Sequence, residues 1–152
     1  MSENKKTIYE RLSDFREAVG KVAKDGANPA FRSRYATLPG ILDAIQEPLR
    51  ANGLVFIQSS RVTESGDVAV LTAIRKIEAS PDDYGITGEM SMRPVDQKPQ
   101  TYGSCLTYLR RYGLVTVLGL NVDDDDDGNA ASGVKPKMAA PAAALTPEDL
   151  PF

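Results

Sequence analysis

The sequence predicts an α+β fold of order α-α-β-β-β-α, a small antiparallel sheet with helices packed on one face. Three observations carry this reading. Two amphipathic stripes of helical period lie before residue 53, and two β-branched runs and an alternating one, separated by turn or polar residues, follow up to residue 92. A third helical stretch lies at about 101–118.

The first helix is expected over about residues 6–24, where Ile8, Leu12, Phe15, Val19 and Val22 fall on one stripe and Asp25-Gly26 supplies the stop. Asn28-Pro29 marks a break, and Phe31-Arg32-Ser33-Arg34-Tyr35 follows as a basic, aromatic stretch without periodicity. The second helix starts from Thr37 as N-cap with Pro39 in its first turn and buries Leu38, Ile41, Leu42, Ile45 and Leu49. Pro48 is expected to kink or shorten it, and Asn52-Gly53 to end it. Residues 54–63 and 68–77 read as strands joined by the turn Glu64-Ser65-Gly66-Asp67, and residues 85–92 as a third strand. Residues 93–100 form a polar loop before the third helix.

The chain of 152 residues carries a net charge of -3, from 18 Lys+Arg and 21 Asp+Glu, and the charge is unevenly spread. Residues 123–152 hold seven acids and two bases, or -5, so residues 1–122 hold 14 acids and 16 bases, or +2. The predicted organisation is a folded domain over 1–122, an acidic run over 123–128, a disordered linker over 129–147 and a tail peptide over 148–152. Without histidine the chain has no Ser-His-Asp or Cys-His machinery and no imidazole-ligated metal. The single cysteine, Cys105, makes no internal disulfide, which suits a reducing compartment. No signal-like stretch or apolar run of about 18 residues is present, so a cytoplasmic protein without a membrane span is expected. Neither cofactor nor metal is expected.

The third helix holds the richest chemistry. On a helical projection Leu106, Leu109, Gly113 and Val117 share a core sector, while Ser104, Thr107, Tyr108 and Arg111 fall opposite. Hydroxyls, a phenol and a guanidinium suit phosphate and base stacking, although arginine and tyrosine also describe an ordinary solvated face. Arg110 falls in the apolar sector, where it must snorkel, pair, or reach a neighbouring subunit. Arg32 and Arg34, bracketed by Phe31 and Tyr35, form a second candidate for nucleic acid, the plain alternative being a loop pinned by its aromatics. Lys98 stands where it adds to the same basic surface.

Asp123, Asp125, Asp127 and Gly128 match the opening of an EF-hand loop, but Val134 stands where the bidentate glutamate is required, so the match fails. The run is read instead as a competitor of nucleic acid for the basic surface or as a solvated domain edge. Glu148-Asp149-Leu150-Pro151-Phe152 reads as a compact peptide ligand whose ring fills a partner's pocket while its carboxylate meets an arginine, against the reading of a chance tail.

Taken in order, residues 28–39, Leu54 to Gln58, Tyr102-Gly103-Ser104, residues 107–112 and the Asp-rich run ending Gly128-Asn129-Ala130 resemble the ERF (essential recombination function) family of phage and prophage single-strand annealing proteins. The resemblance covers residues 5–132. It implies binding of single-stranded DNA, ATP-independent annealing of complementary strands, a ring or helical homo-oligomer, and a β-β-β-α core similar to that of the eukaryotic strand-annealing proteins. It also implies that basic residues on the helix after the sheet line the DNA groove, and Arg110 and Arg111 occupy those positions. The final five residues are similar to the tip of bacterial single-stranded DNA-binding protein, which implies docking on host repair and replication enzymes. A passive single-stranded DNA-binding protein and a metal-dependent nuclease using the acidic run are the rival functions. Five adjacent aspartates, however, do not converge on a metal pair as nuclease carboxylates do.

Overall fold

A computed structural model describes residues 5–30, 32–81 and 83–122. The elements run α1 (Ile8–Val19), β1 (Gly26–Asn28), β2 (Ser33–Tyr35), α2 (Leu38–Ala51), β3 (Leu54–Val62), β4 (Val68–Lys76), β5 (Ile86–Met92) and α3 (Pro99–Leu118). The α+β order is as expected, with a two-stranded hairpin, β1-β2, added between the first two helices. The acidic run, linker and tail peptide, residues 123–152, lie outside the described residues.

Thr7 opens α1 with a reciprocal capping box: its side chain accepts from the Glu10 N–H, and Glu10 accepts from the Thr7 N–H. The helix is shorter than its apolar stripe predicts. Gly20 (φ 58°) takes the backbone out of the helix, and its N–H bonds Arg16 O. Val22, expected on the helical stripe, is buried from extended chain instead, and its N–H donates to Asn121 O at 2.9 Å.

The stretch with no periodicity is the β1-β2 hairpin, paired Gly26 with Tyr35, Ala27 with Arg34 and Asn28 with Ser33. Asn28 Oδ1 accepts from the Ala30 N–H at 3.1 Å, so Asn28-Pro29 starts the turn. The base of the hairpin is tied by side chains. Asp25 accepts from both the N–H and the hydroxyl of Thr37, each at 2.7 Å, while Thr37 caps α2 by accepting from Gly40 N–H at 3.2 Å. One threonine therefore joins the hairpin to the start of the next helix. Pro48 does not shorten α2, which continues to Ala51.

The main sheet has the order β3-β4-β5, antiparallel throughout. Leu54 faces Lys76, Val62 faces Val68, and Val68 faces Met92. All three helices lie on one side of it. Phe15, Ile41, Ile45, Leu54, Ile74, Leu114 and Leu118 form the larger core, and Val68, Val70, Cys105 and Leu109 form a second one under the first half of α3. α3 spans both cores. At Gly113 it approaches so closely that a β-carbon there would lie 2.6 Å from Thr72 Oγ1. Burial pushes the Cys105 thiol up, which makes it an inert core residue.

Two outcomes follow. Thr37→Ala is expected to lower stability by about 1 kcal/mol through loss of the cap, measured by chemical denaturation. The Asp25 carboxyl is held below its ordinary value by the Thr37 N–H and then by the Thr37 hydroxyl, so its stabilising contribution is present above the unfolded carboxylate range. It is lost as pH falls through the lowered folded-state value. Melting curves of Asp25→Ala should therefore lie below the wild type at pH 7 and draw together with it as pH falls below the lowered folded-state value.

Candidate nucleic-acid interface

The two sequence motifs meet in space. A cleft of 240 Å³ is lined by Lys24, Arg34, Tyr35, Ala36, Ile41, Arg111, Tyr112, Val115 and Val122. β2 supplies Arg34 and Tyr35, the second half of α3 supplies Arg111 and Tyr112, and the extended chain after α1 supplies Lys24.

Arg111 is the centre of this arrangement, and its placement corrects the helical projection. It is not on a solvated face: it is 5% exposed. Its guanidinium carbon lies 4.7 Å from the ring centre of Tyr35, 4.8 Å from that of Tyr112 and 5.5 Å from that of Tyr108. Arg111 Nη1 is buried without a hydrogen-bond partner. The physical reason for the difference is the hairpin. A projection assumes one buried side, whereas α3 is covered by the sheet on one side and meets Tyr35 on another. Tyr35 reaches that position across Gly26, where any β-carbon would lie 2.6 Å from its ring. Tyr108 and Tyr112 stand 4.5 Å apart, and burial followed by the neighbouring Tyr112 pushes the Tyr108 phenol up, against the pull of Arg111.

Ser104 is also buried rather than exposed, its hydroxyl donating to Gln100 O at 2.9 Å, so it presents nothing to a ligand in this arrangement. Thr107 Oγ1 donates to Gly103 O at 3.1 Å. Lys98 lies before the first turn of α3, about 20 Å along the helix axis from Arg111, with its ammonium 3.2 Å from Asp96. It lines neither cleft. Arg32 sits exposed in the hairpin loop with φ 49°, a left-handed conformation uncommon for a side chain of this kind.

Arg110, one residue from Arg111, points to a different cleft of 370 Å³, which Gln58, Ser59, Ser60, Leu106 and Thr107 help to line. Of the three options for an arginine in the apolar sector, it takes pairing. Its Nε donates to Gln58 Oε1 at 3.4 Å, while Gln58 Nε2 donates to Arg110 O and Thr72 Oγ1, both at 2.9 Å. Gln58 thus fixes Arg110; it, Lys24 and Tyr112 join the site beyond the residues the sequence predicts. The signal for Gln58 was a polar residue continuing the inward alternation Leu54, Phe56. For Tyr112 it was the i,i+4 spacing from Tyr108.

Several arginines elsewhere in the domain sit on carboxylates, whereas Arg16 and Arg75 donate to the Leu118 and Asp83 carbonyls. Arg11 sits on Glu78, Arg50 on Glu47, Arg61 on Glu89 and Arg93 on Asp67. Arg34 instead donates to Lys24 O at 2.6 Å, Arg110 to an amide oxygen, and Arg111 Nη1 to nothing. The field of Arg34 reaches Asp25, whose oxygens are already engaged by Thr37. Cations without a carboxylate partner among the described residues, beside aromatic rings, are suited to bind a phosphate backbone and stack bases. Among the described residues no group of acidic or cysteine side chains is arranged to hold a metal ion, and no helix is long and apolar enough to cross a membrane.

A family model described as the ERF superfamily matches residues 8–147, extending further towards the C-terminus than the resemblance read from motifs. No curated protein and no solved structure matches the chain.

The tyrosine cage yields a test of what Arg111 is for. A buried cation without a counter-ion adds little to stability beyond its packing, and apolar replacements of similar volume are tolerated. Arg111→Met is expected to change unfolding stability by less than about 1 kcal/mol, whereas Arg111→Ala, which empties the cage, should cost about 2–4 kcal/mol. Urea denaturation of the two variants distinguishes them.

Proposed function

The chain belongs to the ERF superfamily, and we propose that it binds single-stranded DNA and anneals complementary strands without ATP, as in phage-type homologous recombination. The observation that carries the reading is the convergence of Arg34, Tyr35, Arg111 and Tyr112, drawn from segments more than 70 residues apart, into one cleft whose arginines have no carboxylate partner among the described residues. Arg34 holds phosphate, Arg111 adds its charge to the cleft wall from within the ring cage, and Tyr35, Tyr108 and Tyr112 stack on or orient bases. Arg110 holds the strand in the second cleft with Thr107 beside it, and Arg32 extends the basic surface along the hairpin. The reading is non-catalytic. Strands held by their backbones present Watson–Crick edges for pairing, and no bond is made or broken.

The protein acts as a homo-oligomer in this reading. The sheet face away from the helices leaves Val55, Ile57 and Leu71 exposed, and β3 and β5 are its two open edges. Both features favour association with further copies. Glu148-Asp149-Leu150-Pro151-Phe152 recruits host proteins that receive the tip of single-stranded DNA-binding protein, a role supported by the likeness of that peptide alone. A passive DNA-protecting role uses the same cleft, and a strand-annealing assay separates it from the proposed one.

Affinity for oligothymidylate should fall with salt, log K dropping by about 0.7 per phosphate contacted against log salt. Arg34→Gln and Arg110→Gln, both at exposed positions, should each weaken binding several-fold and reduce that slope by about 0.7. They should slow annealing of complementary oligonucleotides with unchanged melting temperatures. Unaltered affinity and slope in both variants would remove the clefts from the DNA path.

A further inference from the structure

Arg110 is the exposed cation of the second cleft, and the side chain that holds it carries no charge. Gln58 Oε1 accepts from Arg110 Nε at 3.4 Å, while Gln58 Nε2 donates to Arg110 O and to Thr72 Oγ1, both at 2.9 Å. Thr72 is the cross-strand partner of Gln58 on β4 and is fully buried. Both donors of the amide are thus committed, one to the helix backbone and one to the sheet. That fixes which way the carboxamide faces and leaves its oxygen against the guanidinium.

An amide satisfies all three contacts, and a carboxylate does not. Glutamate at this position would set an acceptor against the lone pairs of Arg110 O, and its charge would offset that of the arginine. The same strand shows the charged arrangement three residues on, where Arg61 sits on Glu89 at 2.7 Å. An apolar side chain at position 58 would leave Arg110 charged but free to turn. Among the described residues the terminal nitrogens of Arg110 have no carboxylate partner, and its Nε is already engaged. The pair Nη1 and Nη2 is the edge left for a ligand, and its N–H groups match two oxygens of a phosphate. A cation ordered before the ligand arrives removes part of the ordering cost of binding.

We propose that Gln58 is a positioning residue of the second cleft: its uncharged amide presets Arg110 with the charge intact and the terminal nitrogens turned to a strand phosphate. The proposal rests on the reading of this cleft as part of the DNA path. It assigns the amide a role that neither a carboxylate nor an apolar side chain can take over.

The test uses the full chain and five variants: Gln58→Met, Gln58→Glu, Arg110→Met, the double variant Gln58→Met/Arg110→Met, and Thr72→Val. Anisotropy of fluorescein-labelled oligothymidylate is read across a salt series. Arg110→Met should bind several-fold more weakly, with the salt slope lower by about 0.7. Gln58→Glu should match it in both. Gln58→Met, which keeps the charge, should bind about threefold more weakly, the order of the cost of fixing one long side chain, with the slope retained. The double variant should be no weaker than Arg110→Met alone. Thr72→Val, which removes only the bond to the sheet, should bind as the wild type does. Wild-type binding by Gln58→Met, or a further loss in the double variant, would overturn the proposal, as would Thr72→Val weakening binding as much as Gln58→Met. A wild-type slope in Gln58→Glu would overturn the part played by charge. Should the Gln58 variants not fold, the wild-type Arg110 Nε–H signal decides by NMR. It should exchange slowly and stay in place when DNA is added; exchange as fast as in free arginine overturns the contact. Normal binding by Arg110→Met refutes the DNA reading of this cleft and the proposal with it, whereas weak binding by Arg110→Met beside normal binding by Gln58→Met refutes the proposal alone.

Discussion

The position of every candidate group depends on how closely α3 lies on the sheet. Gly113 removes the side chain that would keep the helix away, and Thr72 and Gln58 fill the space beneath it with hydrogen bonds instead of methyl groups. Because Gln58 bonds both the Arg110 carbonyl and Thr72, the polar bridge fixes helix rotation as well as distance. With rotation fixed, the roughly 100° between successive helical residues sends Arg110 over β3 and β4 and Arg111 towards the hairpin. Two adjacent arginines thereby serve two clefts, which a looser seat would let drift together.

The Arg111 cage shows a division between what stabilises the domain and what the domain is for. Three aromatic faces lower the cost of a buried cation, each contributing on the order of 1 kcal/mol, yet none neutralises it. The carboxylates of this domain are spent elsewhere. Glu78, Glu89 and Asp67 pair with arginines across the fold, and Asp25 holds the hairpin to α2. A protein optimised for stability alone would have an apolar side chain or a nearby acid at this position. The hairpin has the matching role. Its two three-residue strands would not persist alone, and Asp25–Thr37 at its base and Tyr35 on Arg111 hold it in place.

The helices and the main sheet were legible because their periodicities are long and strong. Thr37, Pro39 and the apolar stripe of α2 fixed that helix to the residue at its start, and the turn at 64–67 fixed the register of β3 against β4. The misses share a cause. Gly26-Ala27-Asn28 and Ser33-Arg34-Tyr35 are too short to alternate, so the hairpin left no periodic trace. No sequence signal marks a second covered side on α3, so a helical projection turns Ser104 and Arg111 to solvent where the fold buries both. Val22 continues the helical stripe past Gly20 by coincidence, while its burial comes from the pairing with Asn121. The chemistry of the site was visible as residue types. Its geometry required a tertiary contact between segments far apart in sequence.

The choice of side chains around the cleft has a consequence for how surroundings act on it. The chain has no histidine, the side chain that ordinarily changes charge near neutral pH. Burial and then Tyr112 push the Tyr108 phenol up, away from that range. The groove therefore holds no imidazole to titrate. Its grip on a polyanion answers to the ions dissolved around it.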